Sequence, residues 1–169
     1  MPNSTLSPSS EPVRLRRATP ADIPRLREME QNTETAAHWS AAQYDALFSP
    51  DAQARVALIA AEETADAPVL GFLIARCLPD EWEIENIIVD DRHRQLGVGS
   101  SLARKLLAEA RTAGAGSVVL EVRESNLAAL RLYENIGFNL VGRRNNYYRE
   151  PAEDALLYRF LLRTCDKIP

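Results

Sequence analysis

A chain of 169 residues that is 46% hydrophobic and 26% charged has the composition of one globular domain with a sizeable core. Its net charge of −4 argues against non-specific binding to nucleic acid or anionic membranes, and its apolar runs are too short to span a bilayer. Two cysteines, Cys77 and Cys165, and two histidines, His38 and His93, show neither metal-ligand nor redox spacing. Reduced cytosolic thiols and no metal site are therefore expected.

Residues 1–12 are rich in Ser and Pro, lack an apolar stretch, and read as a flexible leader and not a secretory signal. One domain is expected over residues 13–163, followed by a tail at 164–169. Val13 to Arg17 alternates apolar and basic residues, as a strand does. Thr19-Pro20-Ala21-Asp22 opens a helix, with Thr19 as N-cap, Pro20 in its first turn and Ile23, Leu26 and Met29 as its buried stripe. Ser40-Ala-Ala-Gln43 is a capping-box pattern for a short helix to about Phe48. Arg55 to Glu62 and Val69 to Leu78 form a hairpin, and Trp82 to Val89 a third successive strand.

The period then changes. Val98, Leu102, Leu106 and Ala110 recur at helical spacing, and Gly114-Ala-Gly116 ends that helix. Ser117 to Val122 is a strand. Asn126 to Ile136 is a helix capped by Asn126 and stopped at Gly137. Phe138 to Arg144 and Ala155 to Leu162 are closing strands. The strand–helix–strand unit from Trp82 to Val122 requires parallel strands, whereas the hairpins are antiparallel. The expected class is α+β, a mixed and mostly antiparallel sheet of about seven strands with about four helices.

Between Val89 and the long helix lies Arg94-Gln95-Leu96-Gly97-Val98-Gly99-Ser100. Two glycines, an arginine and the free N–H groups of a helix start suit a phosphate-bearing ligand. No Gly-Lys-Ser/Thr follows, and the third glycine of a dinucleotide fingerprint is missing. A turn that only packs strand against helix is the competing reading.

With Asn86-Ile-Ile-Val89 before it and Leu120-Glu-Val-Arg-Glu-Ser-Asn-Leu-Ala-Ala-Leu-Arg-Leu-Tyr133 and Gly137-Phe138 after it, this loop resembles the acyl-coenzyme A loop of the GNAT superfamily of N-acetyltransferases. Arg143-Arg-Asn-Asn-Tyr-Tyr148 and Glu153-Asp154-Ala155 resemble its RimI-like branch, which modifies the N-terminal alanine of a ribosomal protein, S18. The resemblance covers about residues 13 to 163. It implies acetyl-CoA as co-substrate, with Ile87, Ile88 and Val89 along the pantetheine and Arg94, Gln95, Leu96, Gly97, Val98, Gly99 and Ser100 at the pyrophosphate. Asn126 would bond the cofactor near its thioester, Glu121 would be the general base and Tyr133 the general acid.

For Asn126 the plain alternative is a helix cap, for Glu121 a solvated sheet face, and for Tyr133 a core aromatic. Glu85, sharing a strand face with Glu83, is a second candidate base or a binder of the acceptor's ammonium. Tyr147 and Tyr148, expected in the turn between the last strands, are candidate substrate contacts, and strand alternation predicts that one of them faces the cleft. Glu28 to Asp51 departs from the branch, and the resemblance implies that this region shapes the substrate pocket.

Freeing an amine at pH 7 costs about 1.4 kcal/mol for an α-amino group but about 4.6 kcal/mol for a lysine. A glutamate acting through water therefore suffices for a protein N-terminus. The expected enzyme is a cytosolic N-acetyltransferase, a monomer or weak dimer, with direct attack in a ternary complex and no covalent intermediate. An acetyltransferase of small-molecule amines and a non-catalytic acyl-CoA-binding module are the alternatives.

Overall fold

The computed structural model describes residues 13–49, 54–62 and 67–162. The expected leader, the tail and Cys165 fall outside them. Seven strands form one sheet in the order β1-β2-β3-β4-β5-β7-β6. They are β1 (Val13–Arg17), β2 (Arg55–Glu62), β3 (Val69–Cys77), β4 (Glu81–Val89), β5 (Ser117–Arg123), β6 (Asn139–Arg149) and β7 (Ala152–Leu161). Only β4 and β5 run parallel; the other neighbours are antiparallel. The mixed α+β class read from the sequence is the observed one.

Helices cover both faces. On one, α3 (Val98–Thr112) and α4 (Leu127–Ile136) bury Leu102, Leu106, Tyr133 and Ile136 against Leu58, Leu73, Ile84, Val118 and Leu120. On the other, α1 (Ile23–Gln31) and α2 (Ala41–Ala46) bury Leu26, Met29 and Tyr44 against Ile59, Phe72, Ile74 and Ile88. Each face takes alternate residues of the strands, as the two-residue period demands.

The helix starts follow their capping residues. Ser40 accepts from the Gln43 backbone N–H, and Gln43 accepts in return from the Ser40 N–H, closing the capping box. Thr19 precedes a 3-10 turn, Pro20–Asp22, that runs into α1. There Asp22 accepts from the Thr19 N–H and hydroxyl and pairs with both terminal nitrogens of Arg16 at 2.8 Å. Gly137 ends α4 at φ 111°, a conformation that favours glycine.

The last hairpin departs from the sequence reading. β6 continues to Arg149 and β7 begins at Ala152, so Tyr147 and Tyr148 lie within β6 and not in the turn. The strand is not uniform, for its register with β7 slips between Arg144 and Tyr148, where Asn146 takes φ 50°. The Asn146 N–H donates to Asp154 Oδ1 at 2.8 Å and holds that irregularity in place. Irregularities of this kind break side-chain alternation.

Candidate active site

The β4–β5 ladder runs from Glu81↔Ser117 to Ile84↔Leu120 and stops there, although β4 continues to Val89 and β5 to Arg123. At that point β4 carries an extra residue. Ala75 opposes Ile84 and Ile74 opposes Asn86, which leaves Glu85 as a bulge. The bulge also switches the faces of β4: Trp82 and Ile84 point toward α3, and beyond Glu85 it is Ile87 and Val89 that do. Beyond the last rungs lies a cleft of about 310 Å³.

Side chains from both faces of the sheet reach this cleft. From the α4 side come Asn126, Ala129 and Tyr133; from the other come Glu121, Tyr147, Tyr148 and the α1–α2 loop at Thr35, Ala36 and Ala37. Glu121 belongs to the face opposite Val118, Leu120 and Val122, which are in the core. Tyr133 is buried at 4% exposure, edge-on to Phe138. Burial holds its phenol above the ordinary value, so it stays protonated at neutral pH. Glu83 and Glu85 are there too, each with a cation of its own, as Glu121 has in Arg144. Glu83 pairs with Arg76, and Glu85 takes Arg55 Nε at 2.6 Å and Nη2 at 2.9 Å.

Both tyrosines line the cleft, contrary to the expectation that one would. The slip in register turns their rings together, with centroids 5.2 Å apart. Two arginines fix them. Arg123 lies 4.0 Å over the Tyr148 ring and Arg144 5.4 Å over Tyr147. Arg144 Nε also sits 3.0 Å from Glu121 Oε1. The Tyr147 phenol is pushed above its ordinary value, first by the adjoining Glu121 carboxylate. Neither arginine was assigned a role from sequence, since each becomes relevant only through strand pairing.

The loop before α3 is open. Gly97 is its N-cap at φ 84°, no side chain caps the helix, and a Cβ built on Gly97 meets nothing within 4 Å. Gln95 is also left-handed at φ 63°, and Leu96 is exposed. Free N–H groups at an uncapped helix start fit a pyrophosphate. Gly99 is buried and closely packed: a Cβ there would lie 3.3 Å from Leu132 and 3.5 Å from Val89. Arg94 turns back to Asp91 at 2.7 Å; both are exposed, so this pair is a weak restraint. Asn126 Oδ1 caps α4 by accepting from the Ala129 N–H at 3.1 Å, while the residue also lines the cleft. Ile88 is buried on the α1 side, whereas Ile87 and Val89 are partly buried toward α3.

The Cys77 thiol is pushed up to about 11 by burial, which removes it as a nucleophile at neutral pH. Among the described residues no group of three His, Cys, Asp or Glu could hold a metal ion, and no helix is long and apolar enough to cross a membrane.

Residues 23–138 match the model of the acetyltransferase (GNAT) family. A Salmonella typhimurium ribosomal protein bS18-alanine N-acetyltransferase is 41% identical over 96 residues, 56% of this chain and 65% of that protein. The N-alpha-acetyltransferase RimI of Mycobacterium tuberculosis is 44% identical over 86 residues, 51% of this chain and 52% of that protein. The chain thus spans one half to two thirds of these relatives. The crystal structure of the Escherichia coli ribosomal-protein-S18-alanine N-acetyltransferase superposes with a TM-score of 0.77 at 26% identity, covering 94% of this chain and 99% of that one.

Proposed function

The chain belongs to the acetyltransferase (GNAT) family, and from that premise we propose that it transfers the acetyl group of acetyl-CoA to the α-amine at a protein or peptide N-terminus. The observation that carries this reading is the cleft at the end of the β4–β5 ladder, which brings Glu121 and a tyrosine pair from one face of the sheet to Tyr133 from the other. The RimI-like relatives support a protein acceptor.

Bound acetyl-CoA supplies an activated acetyl thioester. The uncapped start of α3 and Gly97 would hold its pyrophosphate, and Ile87 to Val89 its pantetheine arm. Asn126 retains its amide nitrogen as a donor while its Oδ1 caps the helix. On the acceptor side, Tyr147 and Tyr148 form an aromatic wall for a peptide backbone, and the α1–α2 loop closes the opposite wall with Thr35, Ala36 and Ala37. Glu121 takes the proton of the attacking amine through water, and Tyr133 gives a proton to the departing sulfur. Glu85, held by two hydrogen bonds from Arg55, shapes the wall.

The test is incubation with acetyl-CoA and short peptides of varied first residue, followed by mass measurement. Alanine-first peptides are the first to try. A gain of one acetyl group on the N-terminal amine is expected. Acetylation of free amines but of no peptide would overturn the acceptor class, and cofactor binding without turnover would overturn the activity.

A further inference from the structure

Glu30, on α1, is buried at 3% exposure although it carries a carboxylate. A buried charge persists only where donors converge on it. Here Asn86 Nδ2 donates to Oε1 at 2.7 Å, and the Trp39 backbone N–H donates to Oε2 at 3.0 Å. Asn86 stands on β4 next to the Glu85 bulge and lines the cleft; Trp39 ends the α1–α2 loop whose Thr35, Ala36 and Ala37 line it from the other side. One carboxylate therefore joins two walls of the same pocket.

The connection closes on itself. Glu85, the neighbour of Asn86, is held by two hydrogen bonds from Arg55, and the Arg55 guanidinium lies 5.7 Å from the centre of the Trp39 ring. Glu30 to Asn86, Glu85 to Arg55, Arg55 to Trp39 and Trp39 back to Glu30 make a ring of contacts around the bulge. The Tyr44 phenol, raised above its ordinary value by burial and then by the Glu30 charge, stays neutral beside it. A loop tied at its base in this way is a fixed wall.

We infer that Glu30 is a positioning residue, keyed into this ring, that fixes the width of the acceptor pocket and so decides which first residue it admits. The inference rests on the peptide-acceptor reading above. Glu30→Met removes both bonds. Glu30→Gln keeps them, because its carbonyl still accepts from Trp39 while its amide donates to a flipped Asn86. Arg55→Met opens the ring at a partly exposed residue and carries the test if Glu30→Met fails to fold.

The experiment compares steady-state acetylation of an alanine-first and a leucine-first peptide by the wild type and the three variants. Glu30→Met and Arg55→Met are expected to raise the acceptor KM about tenfold and to narrow the ratio of kcat/KM between the two peptides. The KM for acetyl-CoA should stay within about twofold, and Glu30→Gln should keep the wild-type ratio. Unchanged ratios in Glu30→Met and Arg55→Met, or equal rises in both KM values, would overturn the inference. If the wild type acetylates free amines and no peptide, the acceptor reading fails separately, and the same ratio between a small and a bulky amine still tests Glu30.

Discussion

Arg144 reaches across β7 to place its Nε 3.0 Å from Glu121 Oε1. The ladder explains how: Arg144 opposes Ala155, Ala155 opposes Arg123, and Arg123 shares its face of β5 with Glu121. The small side chain of Ala155 leaves the path open. Glu121→Gln should lower kcat about a hundredfold with little change in acetyl-CoA affinity. Arg144→Met, which frees the carboxylate and unstacks Tyr147, should lower kcat/KM for peptide about two- to tenfold. Steady-state kinetics with each substrate varied would check both. Wild-type kinetics in Arg144→Met would reduce the pair to a surface contact.

Tyr133→Phe should lower kcat about ten- to a hundredfold and leave the acetyl-CoA dissociation constant unchanged, because only the proton donor is lost. The pH dependence has a definite sign. The buried phenol is shifted above the ordinary value of 10.0, so its protonated form persists through that pH. Tyr133 should therefore cause no fall in kcat up to about pH 10. An alkaline decline below pH 9 that disappears in Tyr133→Phe would contradict the raised phenol, not its role as the acid.

Gly97 and Gly99 should separate in experiment. Gly97→Val forces a β-branched residue to φ 84° at the uncapped helix start; it should weaken acetyl-CoA binding at least tenfold and cost about 1–3 kcal/mol of stability. Gly99→Ala brings a methyl to 3.3 Å from Leu132; it should cost up to about 1 kcal/mol of stability while binding remains. Titration calorimetry and thermal unfolding distinguish the two.

Asp22 ties β1 to the start of α1. Its pKa is lowered from 3.8, first by the hydrogen bonds from Arg16. A lowered carboxylate stabilises the fold above its unfolded value and loses that contribution as pH falls below it. Asp22→Asn should therefore cost about 1–2 kcal/mol at pH 7, and its unfolding curve should approach the wild type's as pH falls through the lowered value. Denaturant unfolding across this pH range checks this. A difference that grows as pH falls would exclude the linkage.

Much of this was legible along the chain. Caps at Ser40, Asn126 and Gly137 and the helical stripe from Val98 to Ala110 mark elements because their cause is local. The end of β6 was not legible. Its residues from Arg143 to Tyr148 are mostly exposed and polar, so no apolar alternation announces the strand; pairing with β7 alone makes it one. The Glu85 bulge was hidden for a similar reason, since a slip in register is a property of two strands. Glu121 and Tyr133 stood out by family resemblance, whereas their arginine and loop neighbours come from distant segments that only the folded sheet brings together.

The short β4–β5 ladder has a mechanical side as well. With rungs only between Glu81–Ile84 and Ser117–Leu120, the sheet is two panels, β1 to β4 and β5 to β7, meeting along a brief seam. The α3 helix is the brace that spans them, because it packs against strands of both. A ligand lying in the open part of that seam would act as a second brace. Filling it should slow amide exchange on both sides at once, in Ile87 to Val89 and in Glu121 to Arg123, although the two strands share no hydrogen bond there.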